Sequence, residues 1–380
     1  MDHVDILIGG AGPHGLTLAA HLRFADPTRS IMVVDPAGCW LGRWRDRFRR
    51  FSIDRLRSPS VHHPDPDPFA LRSFGPKAER SFLGRYDSPG AEFYDAFCDD
   101  LIIRHGLGSA VFADQVESLE PQSDCTTVVL GSGSQVEARA VVMATADQLR
   151  NDDLSVPGFA VHADEVDLDD PPDGAHIVVV GGGITAGHLV LGALEHGRRV
   201  THVVRRPLSQ REFDTDPGWL GPMHLDRFGA ESCARTRRDL AISARDGGTM
   251  PGWMLDQLSA AAGHSDRLRC VVGPVSKIEL GLTWIDGVGG VESDVVWLAT
   301  GWRPAIERSI WGMGLLVSHP TPVHDGIPEL DRDLRWPGTD IWCSGHVAQL
   351  RLGPAAGNLI GARFAAELIV PAIGAKLSTD

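Results

Sequence analysis

The chain has 380 residues, which is enough for two or three domains with a substantial core. It carries 36 Lys and Arg against 50 Asp and Glu, and the resulting formal charge of −14 argues against nucleic acid or an anionic membrane as a partner. Because the chain has no apolar run of about 18 residues and no basic N-terminal stretch, we expect a cytoplasmic protein without a transmembrane helix or a signal peptide.

The first predicted element is a short buried strand, residues 4–8, which leads through the turn GGAGPHG into a helix. The turn fits G-x-G-x-x-G, in which the first glycine permits a tight turn, the second lets a diphosphate approach and the third lets the helix pack on the strand. The next strand ends in an aspartate that can accept hydrogen bonds from an adenosine ribose. This order of elements predicts an adenine dinucleotide site formed by Gly10, Gly12, Pro13, His14, Gly15 and Asp35. The tripeptide GPH resembles the GPxG form common in FAD enzymes, and that resemblance favours FAD over NAD.

Two segments after this unit are candidates for contact with the ring of a bound flavin. Trp40 and Trp44 lie in the predicted loop CWLGRW, where they border either the ring or the core. Residues 51–74 are too polar and rich in proline for a core strand and too irregular for a helix, so they form either a loop over the flavin or a plain surface loop. His62 is a candidate site residue in this loop, although adjacent histidines in loops are commonly just solvated.

A second strand, turn and helix begin about 170 residues after the first unit, with the sequences AHIVVV and GGGITA. The pattern is G-x-G-x-x-A, and the residues assigned to this site are Gly181, Gly183, Thr185 and Ala186. The following strand ends in Arg205 and Arg206, where the first unit has Asp35. Arginine pairs with a phosphate whereas a carboxylate repels one, so the site is predicted to prefer NADPH to NADH. The alternative is that one or both arginines only solvate the end of the strand.

The two units together imply a resident flavin and a nicotinamide nucleotide that delivers hydride to it. The six cysteines are scattered and include no C-x-x-C pair, so the sequence indicates neither a dithiol redox centre nor a zinc ribbon. No set of Cys, His or carboxylate residues has the spacing of metal ligands, and no metal is predicted.

Two further strands, residues 141–149 and 295–304, contain the sequences ATA and ATG. In flavoproteins with two dinucleotide sites, the chain crosses between the domains at such segments. We therefore predict an α/β fold of two Rossmann-like domains, in which the NADPH domain is inserted into the FAD domain. The first crossing is expected at Pro157 and Gly158, and the second at Thr300 and Gly301, which are assigned to the cofactor site. The expected limits are 1–165 and 298–380 for the FAD domain and 171–297 for the NADPH domain.

These motifs, with CWLGRW and LATGWRP, resemble those of the class B flavin-dependent monooxygenases, in particular the bacterial enzymes that N-hydroxylate ornithine and lysine. The resemblance covers most of the chain. It implies that NADPH reduces FAD, that oxygen adds to the reduced flavin, and that the resulting hydroperoxide oxygenates a nucleophilic nitrogen, sulfur or carbonyl group. It implies that NADP⁺ stays bound and helps to keep water off the site. It also makes residues 211–228 part of a substrate-side insertion at about 207–250.

The resemblance assigns further residues to the site. A strand, a glycine turn and a helix near the C-terminus place Gly345, His346, Gly353 and Asn358 at the flavin, and the helix is predicted to begin with the small residues from Gly353 onwards. Trp302 occupies a place where relatives often have tyrosine. Ser58 is the nearest equivalent of an asparagine that many relatives carry beside the flavin. With His62, these two residues are the catalytic candidates.

Three positions depart from the pattern of these monooxygenases. His346 stands where relatives have an aspartate that holds the ribityl chain of the flavin. Phe159 and His162 lack the spacing of the F-x-G-x-x-x-H fingerprint. The two asparagines of the chain, Asn151 and Asn358, both lie outside the stretch directly after the tryptophan segment. These departures bear on oxygen insertion more than on the binding of flavin and nicotinamide.

The predicted protein is an NADPH-dependent FAD monooxygenase that uses molecular oxygen on a small molecule, in the first place by N-hydroxylation of an amine or amino acid. One alternative is an NAD(P)H-dependent flavin reductase or dehydrogenase that inserts no oxygen. The other is a flavin-binding regulatory protein without turnover. The substrate, the atom oxidised and the formation of a homo-oligomer stay open.

Overall fold

The computed structural model describes residues 2–75, 86–146, 148–151, 160–245, 247–264 and 266–378. Pro157, Gly158 and Phe159, which the sequence analysis discusses at the first crossing, lie outside these ranges. Within the described part of the chain no single helix is long and apolar enough to cross a membrane. A pair bent by 110°, His346–Ala355 with Leu359–Ser378, meets the length and composition requirements only when taken together.

The strands, in chain order, are β1 (Asp2–Gly9), β2 (Ile31–Asp35), β3 (Val111–Ala113), β4 (Val116–Pro121), β5 (Thr126–Leu130), β6 (Gln135–Met143), β7 (Gln148–Arg150), β8 (Ala160–His162), β9 (His176–Val180), β10 (Arg199–Val204), β11 (Leu268–Val272), β12 (Val275–Glu279), β13 (Leu282–Ile285), β14 (Gly289–Glu292), β15 (Val295–Leu298), β16 (Trp302–Pro304), β17 (Val323–His324), β18 (Ile327–Pro328) and β19 (Ile341–Cys343). The α-helices are α1 (Pro13–Ala25), α2 (Gly42–Arg50), α3 (Ala70–Ser73), α4 (Ala91–Arg104), α5 (Ile184–Glu195), α6 (Pro222–Ala230), α7 (Ala234–Arg245), α8 (Gly252–His264), α9 (Ile310–Ser318), α10 (Gln349–Leu352) and α11 (Leu359–Ser378).

The first sheet has a parallel core of order β3-β2-β1-β6, and β19 joins β6 in parallel at the carboxyl end. Strands β5 and β4 continue the sheet from β6 in antiparallel pairing. Ile6, Leu7 and Ile8 of β1 are at most 1 % exposed, because helices cover both faces of a parallel sheet. Helices α1 and α11 pack against each other over this sheet.

The second sheet is parallel throughout and has the order β11-β10-β9-β15-β8. Its central strand β9 is apolar and buried from Ile177 to Val180, as the sequence AHIVVV predicts. A separate antiparallel sheet of β12, β13 and β14 follows β11. Strand β16 pairs with β7 in antiparallel register, so the two segments predicted to cross between domains lie side by side.

The two parallel sheets with flanking helices confirm the predicted α/β fold with two Rossmann-like units. The residue limits of the two domains stay a prediction.

Two local expectations are wrong. Trp44 lies in helix α2 and not in a loop, since Asp46 accepts hydrogen bonds from both Arg49 and Arg50 one turn later in the run GRWRDRFRR.

The C-terminal helix was expected to begin with the small residues from Gly353 onwards. It begins instead at Leu359, because Gly353 adopts a φ of +75° and residues 353–355 form a separate 3₁₀ turn. Within residues 51–74 only the short helix α3 is regular, in agreement with the predicted irregular loop.

Candidate functional site

The first glycine turn connects β1 to α1 and presents an open face. Gly10 has a φ of +103°, which favours glycine. A side chain at Gly15 would overlap the carbonyl oxygen of Gly10, so this glycine is needed for close packing of helix and strand. A side chain at Gly12 would meet no other atom within 4 Å, which leaves room for a ligand to approach the backbone there. Helix α1 begins at Pro13, and its first N–H groups face this open side.

Asp35, at the end of β2, is hydrogen-bonded to the backbone around the turn. Its carboxylate accepts from Ala11 N at 2.8 Å and from Ala37 N at 2.9 Å. The carbonyl of Ala11 in turn accepts from Leu41 N at 2.9 Å. Leu41 has a φ of 58°, a left-handed conformation that costs a non-glycine residue roughly 1 kcal/mol or more. This residue precedes α2 and ties that helix to the turn.

His14 and His346 lie together beside this turn. The Nδ1 atom of His14 is 2.8 Å from the Ser344 hydroxyl, and the backbone of Gly357 and Asn358 lies within hydrogen-bonding reach of the ring. Burial lowers the pKa of His14 to about 4. Burial, helped by the charge of Arg245 and by His14, lowers the pKa of His346 to about 3. Both rings are therefore neutral at pH 7.

The C-terminal part of the site is built from Gly345, Gly353 and the start of α11. Gly345 has a φ of +88° and leads into the turn that carries His346. The ring of His346 lies against Gly357, where any side chain would overlap it. Asn358 directly precedes α11, and its carbonyl accepts from Ala362 N. At Gly353 a side chain would come within 3.5 Å of Trp219, so the predicted substrate-side insertion packs on this segment.

The second glycine turn connects β9 to α5. Gly181 has a φ of +149° and a side chain there would overlap the Ala299 carbonyl, while Gly183 caps α5 and Ala186 is fully buried. His202, which sequence reasoning did not single out, lies beneath this turn. Its Nε2 donates to Gly181 O at 2.7 Å, and burial lowers its pKa. A histidine at an inward position of a buried strand was the only signal that could have identified it.

Arg205 and Arg206 are both exposed at the end of β10. The guanidinium of Arg206 lies beside Gly247, since a side chain there would come within 2.7 Å of its Nη2. Gly248 packs on the second glycine turn, where an added Cβ would lie 2.6 Å from Gly183 N. The segment around these two glycines therefore joins the arginine end of β10 to the second turn. The adjacent glycines at 247 and 248 are the sequence signal that could have identified this close approach.

A cleft of about 600 Å³, including its mouth, lies between α2, the loop that follows it and the start of α5. It brings together three of the predicted site residues, Trp44, Ser58 and Thr185. Trp44 stacks on Phe48 with ring centroids 4.7 Å apart. The other lining residues are Arg47, Phe48, Phe51, Ile53, Arg55, Leu56, Arg57, Ile184 and His188. Trp40 does not belong to the cleft; it is 4 % exposed and its Nε1 donates to Leu107 O at 2.8 Å.

The structure does not bring His62 and Trp302 into this cleft. His62 is buried, and its pKa is lowered to about 4 by burial and by the nearby His63 and Arg363. The ring of Trp302 meets the ring of His162 edge-on at 4.8 Å, and Arg43 lies 5.9 Å from its centroid. Both residues stay predictions as catalytic groups.

An ion-pair network extends from the cleft, which Arg57 lines, to Asp214 and Arg245. Arg57 donates to the Asp214 carboxylate at 2.8 Å, and Arg245 donates to the other oxygen of that carboxylate, also at 2.8 Å. Arg57 further donates to Thr249 Oγ1 at 2.8 Å, and Arg245 to Pro354 O at 3.4 Å. The network thus joins the loop after α2, the 207–250 segment and the C-terminal loop.

The residues around the first turn fit a flavin dinucleotide. Gly12 leaves its face open, and α1 points its N-terminus at that face. The hydroxyl of Thr300, at the second crossing, is a buried polar atom without a partner among the described residues, and it is available to a ligand. Gly301 beside it has a φ of +86°.

Two glycine turns, each at the carboxyl end of a parallel strand, define an oxidoreductase of the two-dinucleotide class. The model of the pyridine nucleotide-disulphide oxidoreductase family matches residues 6–242. The chain belongs to this family, which confirms the predicted class of enzyme. No curated protein matches the chain in sequence.

Solved structures share the fold along nearly the whole chain. The ornithine N-hydroxylase of Kutzneria sp. 744 aligns with a TM-score of 0.80 at 18 % identity, covering 99 % of this chain and 100 % of that one. The cadaverine monooxygenase of Erwinia amylovora aligns with 0.77 at 16 % identity, covering 99 % and 95 %. The bacillithiol disulfide reductase of Bacillus cereus aligns with 0.66 at 17 % identity, covering 99 % and 100 %. The resemblance to the N-hydroxylating group is therefore confirmed at the level of the fold.

Proposed function

We propose that this protein is an NADPH-dependent FAD monooxygenase that hydroxylates a nitrogen atom of a small amine or amino acid. The observation that carries the proposal is the position of the cleft. One wall of the cleft is formed by α2 and the loop that follows it. A hydrogen bond from Leu41 N to Ala11 O connects this wall to the first glycine turn. Its other wall is the start of α5, directly after the second turn. Ligands at both turns would therefore meet in this space.

The first site is assigned to FAD. The glycine turn would hold the diphosphate, and Asp35 would accept from the ribose. His14, His346 and the residues before α11 would contact the rest of the dinucleotide. FAD-bound structures of the same fold support this assignment, among them the Erwinia amylovora enzyme. Bound FAD would supply acceptance of hydride and activation of molecular oxygen.

The second site is assigned to NADPH. Gly181, Gly183 and the first N–H groups of α5 would bind the diphosphate. Arg206, and Arg205 beside it, would pair with the 2′-phosphate. The Kutzneria structure, which contains NADP⁺ and L-ornithine with reduced FAD, has the same fold and supports the assignment.

The chain's own residues would position the reactants and exclude water. Trp44 and Phe48 would form an apolar wall beside the flavin ring. Thr185 and Ser58, on opposite walls, supply hydroxyls that can orient the nicotinamide amide or the substrate. The network of Arg57, Asp214 and Arg245 holds the surrounding segments together. A dry and closed site favours oxygen transfer to the substrate over the release of hydrogen peroxide.

A second candidate is a reductase without oxygen insertion. Two bacillithiol disulfide reductases share the fold, and His346 replaces the usual aspartate of the monooxygenase motif. The higher TM-scores of the N-hydroxylases, 0.77 to 0.80 against 0.65 and 0.66, favour the monooxygenase.

The proposal is tested by measuring whether the electrons of NADPH are used to oxygenate a substrate. The purified holoprotein is supplied with NADPH and oxygen in the presence of a set of amines and amino acids. NADPH use, oxygen use and hydrogen peroxide release are measured together with product mass. We expect one substrate class to stimulate NADPH oxidation and to gain one oxygen atom. NADPH oxidation that yields only hydrogen peroxide with every substrate, or reduces an added acceptor instead, would establish the reductase. Absence of flavin reduction would establish a protein without turnover.

A matched pair of variants tests the nucleotide. Arg205→Gln and Arg206→Gln should raise the KM for NADPH at least about tenfold and leave the KM for NADH nearly unchanged, because only NADPH carries the 2′-phosphate. Arg199→Gln, at the start of the same strand, is the control. Equal use of NADH and NADPH by the unaltered protein would contradict the role of the arginines.

A further inference from the structure

The cleft formed by α2, the loop that follows it and the start of α5 has a distinct chemical character. Five apolar side chains form most of one wall: Trp44, Phe48, Phe51, Ile53 and Leu56. Its charged lining is exclusively basic among the described residues and consists of Arg47, Arg55 and Arg57. No Asp or Glu belongs to the described lining. A ligand in this space would therefore meet an apolar surface and a positive one.

Two of the three arginines already have carboxylate partners. Arg47 pairs with Asp164 at 2.8 Å, and Arg57 pairs with Asp214 at 2.8 Å. Arg55 forms no ion pair with any described residue, and its guanidinium donates only to Ser88 O at 3.3 Å. It is exposed at the cleft. Arg55 is thus the cation that keeps a full capacity to bind an anion.

The neighbouring titratable group of the lining, His188, adds no charge to that of Arg55 at pH 7. His188 lines the cleft from α5, and burial lowers its pKa to about 4, against a smaller opposite effect of Asp54. Its ring is therefore neutral at pH 7. Asp54 lies near His188 without lining the cleft.

The phosphates of the nucleotide have other partners. The diphosphate would be bound by the second glycine turn and the 2′-phosphate by Arg205 and Arg206, at the far end of β10. Arg55 lies on the opposite wall, in the loop that follows α2. It is consequently left for an anionic group of the substrate.

We propose that the substrate is a carboxylic acid with an apolar or aromatic body, and that Arg55 binds its carboxylate at the cleft. The inference rests on the proposed function, since it assigns the cleft to the substrate. Among the described residues no carboxylate lines the cleft to receive a second ammonium group, which argues against a diamine. The same positive lining favours the uncharged form of a bound amine, which has the lone pair needed to attack oxygen.

Three probes that share one carbon frame test this inference. Phenylacetate, 2-phenylethanol and 2-phenylethylamine are titrated into the purified holoprotein by calorimetry at pH 7, without NADPH turnover. We expect phenylacetate to bind at least about tenfold more tightly than the alcohol, and the amine to bind most weakly. Arg55→Gln should remove the advantage of phenylacetate, and Arg55→Lys should keep part of it. Arg49→Gln, an exposed arginine of α2 that does not line the cleft, should bind all three probes as the unaltered protein does.

Two outcomes would overturn the inference. One is equal binding of phenylacetate and phenylethanol, or tighter binding of the amine. The other is competitive displacement of phenylacetate by NADP⁺, which would assign the positive lining to the nucleotide phosphates. Because the probes are measured without turnover, these results are distinct from a failure of the proposed reaction. A protein that bound phenylacetate through Arg55 but only released hydrogen peroxide would refute the monooxygenase and not the carboxylate site.

Discussion

His346 and Gly357 form a matched pair at the candidate flavin site. The imidazole ring is larger than the aspartate of related motifs, and it occupies the space directly over Gly357. Only glycine at 357 leaves room for the ring in its present position. The departure at His346 is therefore accommodated locally by a residue eleven positions later in the chain.

The pair can be tested by Gly357→Ala. The added methyl group overlaps several ring atoms of His346, so we expect a loss of about 1–3 kcal/mol in the free energy of unfolding, together with weaker flavin retention. Denaturant unfolding and the flavin absorbance of the purified protein measure the two effects.

Two further variants make the result specific to the ring. In a His346→Ala background the added methyl group should cost much less, because the ring is gone. Gly374→Ala lies within α11, where a side chain meets nothing within 4 Å, and it should not destabilise the protein. If Gly357→Ala and Gly374→Ala behaved alike, the packing of His346 on Gly357 would not matter for stability.

At the scale of elements, Asp214 connects the loop after α2 to the end of α7 beside the cleft. Its two oxygens each accept from a different arginine, Arg57 before the 207–250 segment and Arg245 at the end of α7. Arg57 and Asp214 are 157 positions apart in the sequence, so no local pattern could have predicted their contact. The resemblance to the N-hydroxylating enzymes implied that this segment lies on the substrate side, and that position stays a prediction.

Asp214→Asn should loosen the 207–250 segment. The amide keeps the shape of the carboxylate but loses its charge and one acceptor, which we expect to cost about 1–2 kcal/mol in the free energy of local opening. Limited proteolysis under conditions of rapid reclosing should then cleave this segment roughly tenfold faster. The KM for NADPH should rise as well.

Asp226→Asn provides the control for this substitution. Asp226 is an exposed residue of α6 in the same segment, and its substitution should change neither measurement. Cleavage at equal rates in the two variants would show that the ion pairs of Asp214 do not hold the segment.

Across the whole molecule, the sequence predicted what depends on local patterns. Glycine spacing and buried strands identified both turns, because each turn is built from consecutive residues. The convergence of Trp44, Ser58 and Thr185 could be anticipated only through the resemblance. Sequence reasoning missed Leu41, His202 and the arginine lining, since their roles come from long-range contacts and backbone geometry.

His62 and His63 illustrate the same limit. Adjacent histidines between prolines suggested a solvated loop, yet His62 is 8 % exposed and His63 is 1 % exposed. Burial lowers the pKa of each to about 4, as it does for His188. The loop 51–74 is covered by the C-terminal helix, where Arg363 donates to Asp65 O and Pro66 O. Tertiary packing has overruled a polar local sequence.

These neutral histidines predict that acid destabilises the protein. The pKa of His188 is about 4 in the folded state and 6.5 for an ordinary solvated histidine, so below pH 6.5 the unfolded chain binds protons that the folded chain does not. The stability that His188 provides is complete above pH 6.5 and is lost as the pH falls towards 4.

The variant His188→Gln tests this prediction. When the pH is lowered from 6.5 to 5, we expect its free energy of unfolding to fall by roughly 1–2 kcal/mol less than that of the unaltered protein. Denaturant unfolding of the holoprotein at the two pH values measures the difference, and His3→Gln, at an exposed position, controls for the loss of a histidine as such. An equal pH dependence for His188→Gln and the unaltered protein would show that this ring takes up protons equally in the folded and unfolded states.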